Sequence, residues 1–224
     1  MTVSLTRKET ILGWSYFLFQ LLVLPSLVTT INHIAGAPWD MTTLNLIFFC
    51  VNYLAVLLIC RRFLLENLRM ATPGRLLLTA CMGFVGYWLS SYAISLFIVS
   101  IYPDFQNVND QSIAQMVKSD FLLSAIGTIA LVPLAEEVFY RGILFGSLYR
   151  LHRVVAYTIS VLVFCLIHVV QYIGVYPVDL LALCMLQYVP AGLCLAWAYE
   201  KADTILCPIL IHTAINAIGV YAMR

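Results

Sequence analysis

Seven long apolar stretches constrain this 224-residue chain more than any other feature of its sequence. They cover roughly residues 10–32, 43–60, 76–101, 121–146, 154–175, 178–199 and 203–222. A transmembrane helix needs about 20 predominantly apolar residues, which most of these stretches supply. Only 10% of the chain is charged, whereas soluble domains are about one quarter charged. We therefore predict an all-α, polytopic transmembrane helix bundle of about seven spans, organised as a single membrane domain over residues 1–224.

Basic residues between the stretches predict the orientation of the bundle in the lipid bilayer. They precede the first stretch and follow the second, fourth and sixth, at Arg7, Lys8, Arg61, Arg62, Arg69, Arg75, Arg150, Arg153 and Lys201. Cytoplasmic loops are enriched in Lys and Arg, so we expect a cytoplasmic N-terminus. The short chain and this topology favour a multi-pass protein of a prokaryotic plasma membrane. A net charge of +1 gives no reason to expect a nucleic-acid partner.

Segment 61–75, RRFLLENLRMATPGR, is basic and amphipathic, and it allows two interpretations. It could be an interfacial helix that helps to admit substrate, with Phe63, Leu64, Leu65 and Leu68 facing the bilayer. Alternatively, it is an ordinary cytoplasmic loop.

Three ionisable residues interrupt the apolar stretch 130–146, ALVPLAEEVFYRGILFG, at Glu136, Glu137 and Arg141. Each costs about 2.5–3.5 kcal/mol at membrane depth on insertion scales, so each needs a reason to be there. Glu137 and Arg141 lie four residues apart, which predicts an ion pair on one helix face. Glu136 points about 100° away around the helix and needs either a different partner or a raised pKa. Pro133 should free a backbone carbonyl and bend the helix.

Two further pairs of residues each share a helix face because their members lie four positions apart. They are Phe164 and His168 in VFCLIHVV, and His212 and Asn216 in LIHTAINAIG. Taken alone, His168 fits a hydrogen-bonded core residue, and His212 with Asn216 fits polar contacts between membrane helices. If the two pairs converge with Glu136, they supply a base, a partner for that base and an oxyanion clamp. Such a set can add water to a carbonyl group.

The ordered motifs Glu-Glu-x-x-x-Arg, Phe-x-x-x-His and His-x-x-x-Asn on separate hydrophobic stretches resemble the CPBP family of intramembrane proteases. This family, also called Abi, covers CAAX-processing proteases and bacteriocin-processing or immunity proteins. The resemblance extends over about residues 120–220, and every motif position matches. It implies a CAAX-protease-like catalytic core formed by the four C-terminal spans.

The resemblance also implies roles for individual residues, carried over by their motif positions. Glu136 would be the general base that activates water, with assistance from His168. His212 and Asn216 would stabilise the oxyanion. The remaining motif residues would support the site structurally, and they are Glu137, Arg141 and Phe164.

The resemblance favours a glutamate-dependent mechanism with no metal cofactor, although the residues alone leave zinc open. Two histidines and a glutamate could hold a catalytic zinc ion, which needs three protein ligands and an open position. However, the chain has no His-Glu-x-x-His motif, and Asn216 is a poor zinc ligand. No acceptor for the second ring nitrogen of either histidine is evident in the sequence. We therefore expect no cofactor and disfavour zinc.

The expected function is an intramembrane endopeptidase that cuts a membrane-associated peptide or protein near the cytoplasmic side. The substrate stays open, and prenylated CAAX-type tails, pheromone precursors and bacteriocin precursors all fit. The alternative is a non-catalytic membrane protein that confers bacteriocin immunity or acts as a scaffold. A transporter with a carboxylate proton relay is a third interpretation, but the chain shows no internal repeat. Glu136→Gln separates the first two, because a scaffold tolerates that change.

Overall fold

A computed structural model describes residues 2–36 and 39–224 of the chain. The described residues form ten helices: α1 Arg7–Leu22, α2 Leu24–Ile34, α3 Met41–Ile59, α4 Arg61–Met70, α5 Pro73–Ile101, α6 Val108–Ser119, α7 Phe121–Tyr149, α8 Arg153–Ile167, α9 Val178–Ala202 and α10 Leu206–Ala222. Within the described ranges, β structure is limited to an isolated bridge between Ile173 and Tyr176. The predicted all-α class is confirmed.

All seven predicted spans fall on helices, but not all of these helices reach the length of a bilayer span. In the described part of the chain, four helices are long and apolar enough to cross a membrane: α3, α5, α7 and α9. α1 and α2 meet at a 53° bend and together can form a fifth, broken span. α8 and α10 have 15 and 17 residues, about 22–26 Å against a hydrocarbon thickness of about 30 Å. By length alone four or five helices qualify as spans, and the shorter apolar helices α8 and α10 occupy the two remaining predicted stretches. The fifth predicted stretch ends at Ile167 instead of residue 175.

The outer surface of the bundle fits an integral membrane protein. α5 alone exposes Leu77, Leu89 and Phe97 by more than half of their surface. Contiguous apolar surface of this kind is rare on soluble monomers and marks contact with lipid or with another protein. Together with the apolar helices, it supports the prediction that the chain is a multi-pass membrane protein.

α7 is the central helix, and it contains two stretches of wide π-helical turns. These stretches are Ile126–Leu131 and Val138–Phe145, and they flank an α-helical segment, Val132–Glu137. Pro133 lies at the start of that segment, where its missing N–H interrupts the regular hydrogen-bond ladder. The bend expected at Pro133 is thus replaced by wide turns within one continuous helix. Such turns occur frequently at functional sites.

The other helices surround α7 on two flanks. α1 and α3 pack against one side of it, and α8 and α10 pack against the other. α9 packs on α5, α8 and α10 and completes the second flank. The close approach of α3 to α7 uses Gly127, because a Cβ there would lie 2.8 Å from the Phe49 ring.

The helix ends that carry the basic residues lie together and are joined by polar contacts. Three contacts connect different parts of the chain: Arg62 with Glu9 at 2.8 Å, Arg75 Nε with the Lys201 carbonyl at 2.7 Å, and Arg153 with Glu200 at 3.0 Å. We call this side of the bundle the basic end, defined by the starts of α1, α5 and α8, by α4, and by the α9–α10 turn.

α4 confirms a helix within segment 61–75, but one of its residues was assigned to the wrong environment. Phe63 is fully buried in the main core instead of facing the bilayer. Its ring lies 3.2 Å from where a Cβ on Gly142 would be, so it packs directly on α7. Leu65 and Leu68 are exposed by 41% and 61%, as an interfacial helix requires.

Candidate active site

A cavity of about 860 Å³ lies between the two flanks of the bundle and is bordered by α7. All four candidate catalytic residues line it, namely Glu136, His168, His212 and Asn216. Glu137, Arg141 and Phe164 are absent from the described lining. The cavity therefore separates the residues expected to meet substrate from those expected to support them.

The predicted ion pair between Glu137 and Arg141 is confirmed and is completely buried. Arg141 Nη1 lies 2.9 Å from Glu137 Oε1, and both side chains have no exposed surface. The same Glu137 oxygen lies 2.7 Å from Nδ1 of His212. Arg141 Nη2 also donates to the Gly192 carbonyl oxygen at 3.3 Å. Glu137 thus connects α7 to α10, a contact that sequence reasoning missed.

Phe164 lies beside this ion pair and orders the aromatic and cationic groups around it. The guanidinium carbon of Arg141 lies 4.4 Å from the centre of the Phe164 ring, a cation–π contact. The same ring is 4.7 Å from the His168 ring and 6.2 Å from the His212 ring. Phe164 is 2% exposed, and its ring packs between the buried Arg141 side chain and the rings of the two histidines.

The His168 ring is fixed by a hydrogen bond and by stacking. Its Nδ1 lies 2.7 Å from the carbonyl oxygen of Phe164. A carbonyl oxygen only accepts, so Nδ1 must carry the proton, and Nε2 of the neutral ring keeps its lone pair. The Tyr188 ring stacks on the imidazole with centroids 4.1 Å apart and planes 25° apart. His168 can therefore present Nε2 as a proton acceptor.

Asn216 is oriented by a carbonyl group that Pro133 leaves without a helical partner. Its Nδ2 donates to the Thr128 carbonyl oxygen at 2.9 Å. In the π-helical register seen here, the Val132 N–H bonds the Gly127 carbonyl, five residues back. The same register would give the Thr128 carbonyl the N–H of residue 133, which is proline and has none. The second amide hydrogen of Asn216 remains to donate elsewhere.

Glu136 lines the cavity with a carboxylate oxygen that the protein does not satisfy. Its Oε2 is buried and finds no hydrogen-bond partner among the described residues. Buried polar atoms are nearly always hydrogen-bonded, so an exception at a cavity wall indicates a functional group. Since the described residues give this oxygen no partner, the expectation that Glu136 needs a partner other than Arg141 stays a prediction.

A polar wall formed by α6 and α9 was not predicted as part of the site. The Tyr188 hydroxyl donates to Asp110 Oδ1 at 2.8 Å and accepts from Asn109 Nδ2 at 3.0 Å. Burial raises the pKa of the Asp110 carboxyl, while the hydrogen bond from Tyr188 acts in the opposite direction. The sequence feature that could have indicated this wall is the run of Asn, Asp and Gln between residues 106 and 111, but such a run is equally typical of an outer loop. Among the described residues lining the cavity, Glu136 and Asp110 are acidic and none is Lys or Arg.

The histidines bear on the question of zinc. Both have an acceptor at Nδ1, so the expectation that no second-shell acceptor exists is wrong. The described residues contain no group of three or more His, Cys, Asp or Glu arranged to hold a metal ion, and the absence of a metal cofactor stays a prediction.

Residues 118–218, which include all three motifs, match the model of a protein family described as type II CAAX prenyl endopeptidase Rce1-like. We call residues 118–218 the CPBP-type region after this match. The match confirms the resemblance based on the three motifs. The CPBP-type region contributes α7–α10, while α1, α3 and α5, which also line the cavity, lie outside it.

Two curated bacterial proteins resemble the chain at the level of sequence. A Bacillus subtilis (strain 168) protein named "Putative membrane peptidase YdiL" is 25% identical over 219 residues, covering 92% of this chain and 84% of its own. A Lactococcus lactis subsp. lactis (strain IL1403) protein, "UPF0177 protein YxdF", is 28% identical over 94 residues, covering 42% of this chain and 46% of its own. No solved structure matches the chain. The resemblance to YdiL extends beyond the CPBP-type region into α1–α5.

Proposed function

We propose that the chain is an intramembrane endopeptidase that hydrolyses a peptide bond in a membrane-associated peptide or protein. The observation that carries this proposal is the convergence of Glu136, His168, His212 and Asn216 on one cavity. These residues come from α7, from α10 and from the end of α8, and a structural role would not require them to meet. The description of the matched family and the name of the Bacillus relative both support a peptidase activity.

In the proposed reaction, Glu136 removes a proton from a water molecule that attacks the peptide carbonyl carbon. A carboxylate with a buried, unsatisfied oxygen on the cavity wall is suited to this task. The Nε2 lone pair of His168 assists by accepting a hydrogen bond or proton from the same water. When the tetrahedral intermediate collapses, the proton held by this pair passes to the departing amine.

The negative charge that develops on the carbonyl oxygen needs donors that are already in position. Asn216 provides one, because its amide is held by the Thr128 carbonyl and keeps a second N–H. His212 provides the other through Nε2, while its Nδ1 bonds the Glu137 carboxylate. A His212 that donates from both nitrogens is an imidazolium ion, and Glu137 balances its charge. Arg141 pairs with the same Glu137 carboxylate, so these three groups carry a net charge of +1, which the Glu136 carboxylate brings to zero.

The charge of the cavity favours cleavage inside a peptide over cleavage next to a free C-terminus. The described lining has two carboxylates and no Lys or Arg. The His212 imidazolium is committed to the oxyanion, so a terminal carboxylate bound elsewhere in the cavity would have no Lys or Arg as a counter-charge, which is costly at low dielectric. Prenylated CAAX-type tails, pheromone precursors and bacteriocin precursors remain candidates as long as the scissile bond lies upstream of the terminus.

The test is cleavage of a pooled library of membrane-tethered peptides, some of them prenylated, by protein in liposomes. Wild type is compared with Glu136→Gln, which preserves shape and removes the base. Glu66→Gln is the matched control, because Glu66 lies on α4 outside the cavity lining. We expect cleavage by wild type and the control and none by Glu136→Gln, with and without a chelator.

Two outcomes would change the proposal. Cleavage that a chelator abolishes and zinc restores would replace the metal-free mechanism by a metal-dependent one. Appreciable cleavage by folded Glu136→Gln would remove Glu136 from its role as base. If no variant cleaves any peptide, a phenotype shared by wild type and Glu136→Gln in the source cell would favour the immunity or scaffold alternative.

A further inference from the structure

The cavity reaches toward only one end of the bundle, and that end is the one opposite the basic end. α8 and α10 both begin at the basic end, and their cavity-lining residues come late: His168 follows the last residue of α8, and Gly219 is near the end of α10. α3 runs in the other direction, and its lining begins at Met41, its first residue. Thus the cavity-lining helices that begin or end at the basic end place their described lining residues in the half remote from it or near their middle.

Between the cavity and the basic end, the bundle is closed by tightly packed side chains. The residues that close it belong to one core cluster and are at most 2% exposed: Phe63, Phe145, Leu195, Tyr199 and Ile205. Polar contacts also tie this end together, because the Ile205 N–H donates to Asn67 Oδ1 at 2.8 Å. A peptide arriving from the basic end would have to displace this core before it reached Glu136.

The opposite end has the properties of an entrance. The cavity wall there is polar, with Asn109, Asp110, Gln171 and Gln187 in its lining. Amide side chains can donate hydrogen bonds to the backbone of an extended peptide and accept them from it, and a carboxylate can accept them. The neighbouring segment between α8 and α9 is exposed, with Val175 at 72%.

The distribution of basic residues indicates which end of the bundle faces the cytoplasm. Nine Lys and Arg residues lie at the basic end or in its loops, whereas Lys118 and Arg224 lie at the other end. Such an asymmetry indicates that the basic end is cytoplasmic. We propose that the cavity admits its peptide from the extracytoplasmic side, so that the substrate class is a peptide segment held at the outer membrane surface. This inference rests on the proposed peptidase function for its substrate but not for its test, and it departs from the expected cleavage near the cytoplasmic side.

The test is the accessibility of single introduced cysteines to a membrane-impermeant maleimide in intact cells and in inverted vesicles. Gly219→Cys probes the cavity, since a Cβ at this position meets nothing within 4 Å. Met223→Cys is a second cavity probe in case the first variant does not insert. Leu151→Cys, at an 80% exposed position in the α7–α8 turn, reports the basic end, and Val175→Cys reports the opposite end. Wild type measures the background from the seven native cysteines.

We expect the cavity probes and Val175→Cys to be labelled in intact cells, and Leu151→Cys to be labelled only in inverted vesicles. Cavity probes that react only in inverted vesicles, or from neither side, would overturn the proposal. So would labelling of Leu151→Cys in intact cells, because the basic end would then be external. Labelling needs no turnover, so the same pattern in a Glu136→Gln background would keep this inference even if the proposed activity failed.

Discussion

Removing the carboxylate of Glu137 should destabilise the protein far more than removing that of Glu66. Both residues pair with an arginine four positions away, but the Glu137–Arg141 pair is fully buried, and both side chains of the Arg62–Glu66 pair are 40% exposed. Glu137→Gln leaves Arg141 as an uncompensated buried charge, which costs about 3–5 kcal/mol. The exposed pair contributes about 0.2–1 kcal/mol.

These energies translate into clearly different melting temperatures. For a chain of this size, 1 kcal/mol corresponds to about 2–4 °C, so Glu137→Gln should lower Tm by about 6–20 °C and Glu66→Gln by about 4 °C at most. The native protein offers its own reporter, because Cys60, Cys165, Cys184 and Cys207 are buried and become reactive on unfolding. A thiol-reactive dye in detergent therefore follows the transition without further labelling.

Because Glu137 also contacts His212, replacing Glu137 and replacing Arg141 should lower the stability of the protein by different amounts. If Arg141 is replaced by Met, Glu137 keeps a donor at 2.7 Å in His212. If Glu137 is replaced, Arg141 keeps, among the described residues, the Gly192 carbonyl and the rings of Phe164 and Tyr140. Arg141→Met should consequently cost less than Glu137→Gln, and a variant with both changes should cost less than their sum. Equal, small Tm shifts for Glu137→Gln and Glu66→Gln would refute the reasoning.

Three further predictions concern the site and its support. Asn216→Leu should lower kcat by about 10²–10³ with KM little changed, measured by peptide cleavage, since it removes an oxyanion donor. Gly127→Ala should cost about 1–3 kcal/mol because its Cβ would meet Phe49 at 2.8 Å, whereas Gly219→Ala meets nothing within 4 Å and should leave Tm unchanged or higher. Asp110→Asn should become more stable relative to wild type as pH rises from about 4 to 8. Burial raises the pKa of the Asp110 carboxyl, so the folded wild-type protein loses stability as that group ionises, whereas Asn does not ionise. If the Tm of Asp110→Asn minus the Tm of wild type falls over this pH range, the prediction is contradicted.

Much of the site could be predicted because its members lie on helices at fixed spacing. Glu137 with Arg141, and the placement of His212 and Asn216 on one cavity wall, follow from positions four apart on a helix. The release of a carbonyl by Pro133 could also be predicted, since it depends on a missing N–H. Which carbonyl is released could not be predicted, because the π-helical register moves it from residue 129 to Thr128.

Other parts of the site depend on contacts between segments that are far apart in the sequence. The 2.7 Å contact between Glu137 and His212 joins residues 75 positions apart, and no local pattern encodes it. The burial of Phe63 was missed for a similar reason, because an amphipathic helix shows which residues share a face but not what that face meets. Asp110 was missed because its carboxylate becomes part of the site only when α6 folds back onto α9.

Tyr188 shows how such an unpredicted residue can be tested as part of the mechanism. Its ring stacks on His168 at 4.1 Å, and its hydroxyl reaches Asp110 on α6, so it holds one face of the imidazole against the cavity wall. If stacking fixes the direction of Nε2, Tyr188→Leu should lower kcat by about tenfold or more, since small displacements of a catalytic group cost up to about 10²-fold. Tyr188→Phe keeps the ring and loses the hydroxyl, so it should retain most of the activity. Equal losses in both variants would show that the hydrogen bond to Asp110, and not the stacked ring, positions His168.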